Sequence, residues 1–410
     1  NDAVTDKIVI AGAGHAAGQV ITTLRQLKFA GQIVLVGDEP WLPYQRPPLS
    51  KKFLAGDMAA ERLFVKPPSF YDDPSIELRL NSTITAIDRK TRQLQLKDAE
   101  PVTFDKLVLA LGSRAIKLPV VGADLKGVHY LRSIADVENI RADLETRRRL
   151  VVVGAGYIGL EVAAVARQRG LDVTVVEMAE RVMSRVVSPE ISDFYQIEHA
   201  NQGVTLRLDT EVTEFQGKKR VKGVVTSSGE TLATHFVVIG IGITPNTELA
   251  TDAGLEVDDG IVVDDHGRTS DPDIFAIGDC TRHPNAIYGR SLRLESVHNA
   301  LEQAKTVAHN LCGDAMTYSE VPWFWSDQYD LKLQIAGLSE GYDEVVIRGN
   351  PAEKSFACLY LKDRRLIAVD AVNAPKEFVQ SKPLIASHAI IDTEKLADST
   401  AELKQLVMRD

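Results

Sequence analysis

The sequence is poor in cysteine, and the three cysteines that it has form no recognisable pattern. Cys280, Cys312 and Cys358 are an odd number, with no C-x-x-C pair and no spacing typical of metal ligands. The nine histidines form neither an H-x-x-x-H motif nor a cluster with cysteine. We therefore predict no metal site, and we interpret the thiols as the reduced thiols of a cytoplasmic protein.

Long apolar runs and an excess of positive charge are also missing. No run approaches the roughly 18 apolar residues that a membrane helix needs, and Asn1 to Val4 show neither the basic nor the apolar region of a signal peptide. The formal net charge of −10 disfavours a general nucleic-acid binder, which needs a basic face. With 410 residues, of which 44% are apolar, the chain is predicted to be a globular protein of about two to three domains.

A stretch in the middle of the chain has the order of features that binds a dinucleotide. Residues 150–153 form an apolar, β-branched run typical of a buried strand, and an apolar pattern at helical spacing follows the glycine-rich turn. A second predicted strand at 172–176 ends on Glu177, whose carboxylate is placed to accept hydrogen bonds from an adenosine ribose. Gly154 permits the tight turn, and Gly156 lets backbone amides approach a pyrophosphate. Gly159 lets the helix pack closely on the strand.

The same arrangement occurs near the start of the chain. A β-branched run at 7–10 precedes Gly12 and Gly14, with alanine where the third glycine would stand, and helix-spaced apolar residues follow. A strand predicted at 33–36 then leads into Asp38. His15 lies inside this loop, where it either touches phosphate or flavin or is a bystander.

Two such motifs imply two dinucleotides. An enzyme that holds two of them most economically passes a hydride from one to the other, so we predict flavin adenine dinucleotide (FAD) together with a nicotinamide cofactor. The carboxylate of Glu177 would repel the 2′-phosphate of NADPH and so favours NADH, whereas Arg181 and Arg185 could accept such a phosphate.

Further segments carry weaker signals. Residues 41–51 contain three prolines in six positions, a rigid segment suited either to contact a cofactor ring or to form a surface loop. Residues 269–279 predict a strand ending on Asp279, a carboxylate suited to a ribityl or ribose hydroxyl, and a helix is predicted over 295–311. From Trp323 we predict a separate α+β domain, with antiparallel strands and then helical segments to the end of the chain; the strands are 328–337, 344–348, 356–361 and 366–372.

Six segments, taken in order, resemble one known family. They are G-A-G-H-A-A-G at 12–18, L-P-Y-Q-R-P-P-L-S-K at 42–51, G-A-G-Y-I-G-L-E at 154–161, T-S-D-P-D-I-F-A-I-G-D at 269–279, E-S-V-H-N-A at 295–300 and P-W-F-W-S-D-Q-Y at 322–329. Together they are similar to the NADH-dependent ferredoxin reductases that serve aromatic-ring dioxygenases and bacterial cytochromes P450. That resemblance spans almost the whole chain.

The resemblance implies an α/β, glutathione-reductase-like fold, with two Rossmann-type dinucleotide-binding domains and a C-terminal α+β domain. The FAD-binding domain would comprise residues 1–112 and 243–322, the NAD-binding domain residues 113–242, and the C-terminal domain residues 323–410. It further implies that electrons pass from NADH through FAD to a [2Fe–2S] ferredoxin, which feeds a cytochrome P450 or a ring-hydroxylating dioxygenase.

The resemblance also implies roles for individual residues. Lys51 and Glu161 would form an ion pair beside the flavin's reactive nitrogen, with Pro48 against the ring. Glu295 would lie near the nicotinamide amide, and Trp325 between the flavin and the docked ferredoxin. The other residues implied to contact FAD are Gly12, Gly14, His15, Ala16, Asp38, Arg46, Ile84, Arg132, Asp279 and Val297. Those implied to contact the nicotinamide cofactor are Gly154, Gly156, Tyr157, Ile158, Gly159, Glu177, Arg185 and Gly242.

The scarcity of cysteine also argues against one activity of proteins with this fold, disulfide reduction. Disulfide reductases of the fold carry a redox-active cysteine pair in the helix after the first acidic strand end, but residues 50–57 contain no cysteine. The electrons must therefore leave by another route. Two alternatives stay open: a rubredoxin reductase, and a redox-sensing flavoprotein similar to apoptosis-inducing factor.

A local basic patch would have to receive the ferredoxin, because the ferredoxin and this chain are both acidic. The candidates that match the family's docking face are Lys66, Lys305 and Lys404, with Lys332 and Arg290 as weaker ones. Gln334 stands where the family's lysine nearest the tryptophan segment is expected.

Overall fold

A computed structural model describes residues 6–409, so the signal-peptide expectation for Asn1 to Val4 lies outside the described residues. The strands, in chain order, are β1 (Lys7–Ala11), β2 (Gln32–Val36), β3 (Ile76–Arg79), β4 (Ile84–Asp88), β5 (Gln93–Leu96), β6 (Ala99–Thr103), β7 (Lys106–Leu109), β8 (Ser113–Ala115), β9 (Val128–Tyr130), β10 (Arg149–Val153), β11 (Asp172–Val176), β12 (Thr205–Arg207), β13 (Val212–Gly217), β14 (Val221–Thr226), β15 (Thr231–Ala233), β16 (Phe236–Ile239), β17 (Ile243–Pro245), β18 (Ile261–Val262), β19 (Ile274–Ala276), β20 (Thr281–Asn285), β21 (Arg290–Leu292), β22 (Trp323–Gln328), β23 (Leu331–Gly337), β24 (Glu344–Asn350), β25 (Ser355–Lys362), β26 (Arg365–Val372), β27 (Ile390–Ile391) and β28 (Val407–Met408). The α-helices are α1 (His15–Gln26), α2 (Lys52–Ala55), α3 (Ile134–Thr146), α4 (Tyr157–Gln168), α5 (Pro189–Asn201), α6 (Glu248–Asp252), α7 (Val297–Leu311) and α8 (Pro375–Ala386).

The chain divides into two compact units. Unit 1 comprises residues 1–46, 60–114 and 244–322, and unit 2 comprises residues 47–59, 115–243 and 323–410. The proline-rich segment that follows Arg46 thus belongs to unit 2. The sequence predicted three domains, but the division into compact units places the predicted NAD-binding and C-terminal domains together in unit 2. The boundaries of the three domains therefore stay a prediction. Within residues 6–409, no helix combines the length and the apolar character that crossing a membrane requires.

The central sheet of unit 1 is parallel and buried on both faces. Its strand order is β19-β7-β1-β2-β3. Successive side chains of a strand point to opposite faces, so Ile8 and Ile10 pack with α1 and α7, while Val9 and Ala11 pack against the opposite core. That second core includes residues of β5 and α6. Burial on both faces explains why β1 reads as a continuous apolar run.

Unit 2 contains a second parallel sheet of the same design. The strand order is β12-β11-β10-β16-β9, and the α4 helix connects β10 to β11. Val151 and Val153 of β10 share a core with Phe215 and Val224, which belong to the three-stranded sheet β13-β14-β15. The carboxyl ends of β10 and β11 lie at one edge, because Val153 pairs in register with Val176. The glycine loop and Glu177 therefore emerge side by side.

The C-terminal part of unit 2 is an antiparallel sheet with strand order β22-β23-β26-β25-β24, extended by β27 and β28. The sequence predicted one strand over 328–337, but the chain turns at Tyr329, whose φ is +56°, and separates β22 from β23. The prediction of helical segments from Pro375 to the end holds for α8 and for a 3₁₀ helix at Leu403–Leu406, but not for the residues between them. After α8, Ile390 and Ile391 pair with Met408 and Val407, so backbone pairing replaces helix there.

One buried carboxyl group of this sheet forms no ion pair with any cation in residues 6–409. Asp370 in β26 is 1% exposed, and its Oδ2 atom accepts a hydrogen bond from the Tyr360 hydroxyl at 2.5 Å. Burial raises the pKa of Asp370 to about 7, although the hydrogen bond from Tyr360 opposes the shift. The folded protein therefore holds a proton that the unfolded chain releases near pH 4.

We predict that Asp370→Asn reduces the pH dependence of stability. The folded state binds more protons than the unfolded state between pH 5 and pH 7, so the free energy of unfolding falls as pH rises through this window. The loss attributable to Asp370 should be about 2 kcal/mol, measured by chemical denaturation of both proteins at the two pH values. Glu344→Gln, at an exposed carboxylate, is the control and should follow the wild type. Parallel pH curves for the wild type and Asp370→Asn would show that Asp370 is ionised in the folded protein.

Candidate active site

The first glycine loop leads into a helix whose N-cap residue has no side chain to cap it. Gly12 has a φ of +110°, and a Cβ atom on it would lie 2.0 Å from the carbonyl oxygen of Ala110, so only glycine fits this turn. Gly14 is the N-cap of α1 and provides no side-chain hydrogen bond to the helix, whereas the starts of α3 and α7 are capped by Ser133 and Ser296. A Cβ atom on Gly14 would meet nothing within 4 Å. The loop therefore leaves space in front of a helix N-terminus, which favours an anion such as a pyrophosphate.

The second glycine loop, in unit 2, has the same geometry. Gly154 has a φ of +104°, and a Cβ atom on it would lie 2.0 Å from the carbonyl oxygen of Gly240. A Cβ atom on Gly159 would lie 2.2 Å from the carbonyl oxygen of Gly154, which is the close approach of helix to turn expected of the third glycine. Gly156 caps α4 without a side chain, and its missing Cβ would point into open space.

The acidic residues that follow β2 and β11 differ in their surroundings. Asp38, after β2, is exposed, while the neighbouring Glu39 accepts hydrogen bonds from the Tyr44 hydroxyl at 2.9 Å and pairs with Arg46 at 3.4 Å. Arg46, which the family resemblance assigned to the cofactor, is thus bound to its own chain through Glu39. Sequence reasoning did not single out Glu39 or Tyr44, although both stand beside residues that it chose.

Glu177, after β11, is the acidic residue of the second loop. Burial raises the pKa of its carboxyl group, although backbone N–H groups of Ala155, Met178 and Ala179 and the charge of Arg185 oppose the shift. Arg185 also lies against Gly242, where a Cβ atom would be 3.5 Å from its guanidinium. The structure therefore brings together four of the residues implied for the nicotinamide cofactor: Gly154, Glu177, Arg185 and Gly242.

Arg181, the other candidate to bind a 2′-phosphate, already donates hydrogen bonds to neighbouring residues of the protein. Its guanidinium donates to the carbonyl oxygen of Val187 at 2.7 Å, to the Ser192 hydroxyl at 2.8 Å and to the carbonyl oxygen of Ser184 at 3.2 Å. These bonds hold Arg181 within its own loop. Of the residues predicted to discriminate between the two nicotinamide cofactors, Glu177 and Arg185 therefore remain as candidates.

The strongest electrostatic feature is a buried ion pair in unit 2. Lys51 Nζ lies 3.0 Å from Glu161 Oε2, and the two side chains are 12% and 1% exposed. Burial raises the pKa of Glu161, and the Lys51 ammonium opposes that shift most strongly. The sequence predicted this pair only through the family resemblance, since 110 positions separate its members.

Three further donors complete the shell around the Glu161 carboxylate. The Ser50 hydroxyl donates to Oε1 at 2.9 Å, and the Ser326 hydroxyl and the Asp327 backbone N–H each donate to Oε2 at 3.1 Å. Sequence reasoning missed all three. Ser50 is adjacent to Lys51, but no local pattern connects Glu161 with the strand β22 that carries Ser326 and Asp327.

The proline-rich segment and an aromatic cluster flank this ion pair. The carbonyl oxygens of Pro47 and Pro48 accept hydrogen bonds from Lys51, through Nζ at 3.2 Å and through the backbone N–H at 3.0 Å. The Lys51 ammonium lies 5.8 Å from the ring centroid of Trp325, which in turn lies 5.8 Å from that of Trp323. Pro48 and Trp325, both chosen from the sequence, therefore contact or approach Lys51.

The other predicted FAD contacts are distributed over both units. In unit 1, Gly278 lies against Ala16, so the segment carrying Asp279 approaches the start of α1, and Val297 begins α7. Ile84 begins β4. Glu295, which the resemblance places near the nicotinamide amide, pairs with Arg293 at 2.8 Å. In unit 2, the Arg132 backbone N–H donates to Asp136 at 2.8 Å. The structure by itself does not assign these residues to a ligand.

The cysteines lie in surroundings that keep the thiols protonated. Cys280 is fully buried, and burial raises its pKa to about 11; burial likewise raises the pKa of Cys312 and of Cys358. None of the three forms a disulfide. In the described part of the chain, one group of potential metal ligands occurs, the partly exposed turn of Asp264, Asp265 and His266, which sequence reasoning did not select.

Two family models match the chain. One, the pyridine nucleotide-disulphide oxidoreductases, matches residues 6–304, and the other, a reductase C-terminal domain, matches residues 323–407. The chain belongs to the pyridine nucleotide-disulphide oxidoreductase family. Membership of this family confirms the fold class predicted from the sequence, and it makes the protein an oxidoreductase.

Close relatives within this family cover nearly the full chain. Rhodocoxin reductase from Rhodococcus erythropolis is 44% identical over 98% of this chain and 94% of its own length. A rubredoxin-NAD(+) reductase from Pseudomonas putida is 42% identical over 90% of this chain and 96% of its own length. A crystal structure of putidaredoxin reductase in covalent complex with putidaredoxin matches with a TM-score of 0.95 and 43% identity, over 98% of both chains. These relatives confirm the family resemblance drawn from the sequence.

The residues present fit the two dinucleotides that this family implies. Each of the two loops combines a glycine-only turn, an uncapped helix start and open space at the N-cap. A buried cation, Lys51, is available to a group that gains negative charge on reduction. The family's disulfide chemistry does not fit, because α2 and its neighbours contain no cysteine.

We predict that alanine at Gly12 and at Gly14 has different effects. Gly12→Ala should lower the free energy of unfolding by about 2 kcal/mol or more, since the new methyl group meets a carbonyl oxygen in a left-handed turn. Gly14→Ala, whose methyl group meets no protein atom, should leave stability within about 1 kcal/mol and weaken FAD binding at least tenfold. Urea denaturation and FAD titration of the apoprotein measure both effects. Unchanged FAD affinity in Gly14→Ala would mean that this loop does not hold the FAD pyrophosphate.

Proposed function

We propose that the protein is an FAD-dependent ferredoxin–NAD(+) reductase, which passes electrons from NADH to a [2Fe–2S] ferredoxin that feeds a cytochrome P450 or a ring-hydroxylating dioxygenase. The observation that carries the proposal is the buried Lys51–Glu161 pair in a chain with two dinucleotide loops and no cysteine near it. The similarity to rhodocoxin reductase and to the putidaredoxin-bound reductase supports the choice of acceptor. We place the protein in the cytoplasm, where its three free thiols stay reduced.

Each loop has its own cofactor in this proposal. The amides at Gly12 and Gly14 hold the FAD pyrophosphate, and those at Gly154 and Gly156 hold the NADH pyrophosphate. FAD would supply the redox chemistry there, since a flavin can take up a hydride from NADH and give up its electrons singly. Glu177 accepts hydrogen bonds from the adenosine ribose of NADH and repels a 2′-phosphate there. The commitment of Arg181 to its own loop strengthens the preference for NADH over NADPH.

The ion pair supplies the electrostatics of the reaction. The Lys51 ammonium is 12% exposed, so its charge is weakly screened and would stabilise the negative charge of a reduced flavin. Glu161 holds the ammonium in place through the 3.0 Å contact, and the Pro47 carbonyl oxygen accepts a second bond from it. The protein thus contributes orientation and a preorganised charge.

The basic residues predicted to receive the ferredoxin differ in their surroundings. Lys305, Lys332 and Lys404 are all exposed, and Lys305 is paired with Glu302 at 3.1 Å. Gln334 stands directly opposite Trp325 in the β22–β23 pairing, so this strand pair offers a neutral amide where a lysine was expected. Lys382 covers Trp323, with its ammonium 5.4 Å from the ring centroid, and provides a positive charge on the same cluster of tryptophans.

A rubredoxin reductase is the second candidate, because a rubredoxin-NAD(+) reductase is nearly as similar to this chain as the ferredoxin-linked relatives. Both functions share the NADH-to-FAD half of the reaction. They differ only in the protein that takes the electrons. The redox-sensing alternative similar to apoptosis-inducing factor stays a prediction of the sequence.

Stopped-flow kinetics tests the proposed function in two stages. NADH should bleach the bound flavin rapidly, and NADPH at least tenfold more slowly, because of the Glu177 carboxylate. The reduced protein should then be re-oxidised by a [2Fe–2S] ferredoxin faster than by rubredoxin. Faster re-oxidation by rubredoxin would select the second candidate, and failure of both nicotinamide cofactors to bleach the flavin would contradict both candidates.

We predict that Lys51→Met and Glu161→Gln each slow flavin reduction by NADH at least tenfold while FAD stays bound. The first variant removes the charge that stabilises reduced flavin, and the second releases that charge from its position. Lys52→Met, at the adjacent exposed lysine, is the matched control and should react at the wild-type rate. Flavin content from the absorbance spectrum separates the two possible effects. Loss of FAD without a change in the rate of the remaining holoenzyme would make the pair structural.

A further inference from the structure

A chain of buried polar side chains extends from Glu161 away from Lys51. Ser326 Oγ lies 3.1 Å from Glu161 Oε2, and Gln328 Nε2 lies 3.1 Å from Ser326 Oγ. Gln328 Oε1 lies 2.8 Å from His199 Nε2, and the Tyr329 hydroxyl lies 3.0 Å from His199 Nδ1. Ser326, Gln328 and His199 have no exposed surface, so water does not compete for these bonds. The chain connects the helix α5 with the ion pair through β22.

The carboxylate at one end fixes the direction of every bond in this chain. Ionised Glu161 only accepts, so Ser326 must donate to it. The Ser326 oxygen then accepts from the Gln328 amide nitrogen, which leaves the Gln328 carbonyl oxygen towards His199. His199 Nε2 must therefore carry the ring proton, and Nδ1 must accept from the Tyr329 hydroxyl.

The surroundings of the two outer residues are consistent with this single arrangement. Burial lowers the pKa of His199, although its bond to Gln328 and the charge of Glu198 oppose the shift, so the ring is neutral and carries one proton. Burial also raises the pKa of Tyr329, so its hydroxyl keeps the proton that it donates. In the opposite arrangement, Ser326 would point a lone pair at the Glu161 carboxylate.

We propose that His199 is a positioning residue for the hydride step: through Gln328 and Ser326 it fixes a donor on Glu161, which keeps Glu161 charged and Lys51 in place. The inference rests on the proposed function, in which Lys51 stabilises the reduced flavin. It adds a residue outside the dinucleotide loops and the ion pair, on a helix that the sequence motifs do not include. It also makes the tautomer of His199 a reporter of the Glu161 charge.

The first test measures the tautomer directly and does not depend on activity. In ¹⁵N NMR of the histidine-labelled protein, His199 should be the neutral form protonated at Nε2, and comparison with a His199→Gln sample assigns its signals. Ser326→Ala should populate the form protonated at Nδ1, because Gln328 is then free to reverse its amide. Protonation at Nδ1 or a charged imidazolium in the wild type would overturn the proposal, as would an unchanged tautomer in Ser326→Ala.

The second test is a double-mutant cycle on the rate constant of flavin reduction by NADH. His199→Phe removes the donor to Gln328 and should slow reduction about three- to tenfold, the effect of one buried hydrogen bond. His199→Gln, which keeps a donor near the Nε2 position, should restore most of the rate. In a Glu161→Gln background, His199→Phe should cause no further loss, because its effect passes through Glu161. An equal loss in both backgrounds would overturn the proposal.

His283→Phe is the matched control for the cycle. His283 is a buried histidine of unit 1, and in residues 6–409 neither of its ring nitrogens has a hydrogen-bond partner. The variant should reduce flavin at the wild-type rate. If His199→Phe does not fold, Tyr329→Phe, which removes only the outer donor, enters the same cycle. Failure of NADH to reduce the wild-type flavin would contradict the proposed function, while the NMR result would still decide whether His199 fixes the donor on Glu161.

Discussion

The buried carboxylate of Glu161 is the constraint on which the site depends. An ionised carboxylate that is 1% exposed loses its hydration, which costs several kcal/mol unless a counter-charge and hydrogen-bond donors replace the water. Lys51 provides the charge, while Ser50, Ser326 and the backbone of Asp327 provide the bonds. These partners come from the proline-rich segment and from β22, so one charge on α4 fixes the positions of three elements of unit 2.

The position of Glu161 on α4 connects this constraint to the cofactor loop. Gly156 caps the helix, and Glu161 follows within its first two turns. The helix end that faces a pyrophosphate and the carboxylate that orients Lys51 are therefore parts of one rigid element. The segments next to Lys51 and Glu161 in the sequence contain no cysteine. Cys280 and Cys358 are buried, which raises the pKa of both thiols, while Cys312 is exposed. Within a family named for disulphide chemistry, the geometry favours an external electron carrier.

Much of the fold could be predicted from periodicity and glycine spacing. The strand at 172–176 matches β11, and the helix predicted over 295–311 matches α7 within two residues, because buried parallel strands and amphipathic helices have strong local patterns. The turn at Tyr329 and the strands β27 and β28 were missed. A residue such as Tyr329 at positive φ has no local signal, and the two-residue strands depend on pairing with a distant part of the chain.

Only part of the site could be predicted from the sequence. The glycines of both loops follow from their spacing, but the ion pair was inferred from a family resemblance, and the other partners of Glu161 were not inferred at all. Ser326 and His199 are separated from Glu161 by long stretches of sequence and meet only after folding. Polar networks of this kind have no periodicity, so sequence patterns cannot predict them, whereas contact distances in the structure identify them directly.

The central claim is that electrons from NADH pass through a flavin beside a buried ion pair without using any thiol of the protein. An anaerobic reductive titration of the purified holoenzyme tests this claim most directly. The account predicts that a single equivalent of NADH per flavin completes the reduction and that no thiol becomes newly reactive. Uptake of a second equivalent, with the appearance of two reactive thiols, would contradict it.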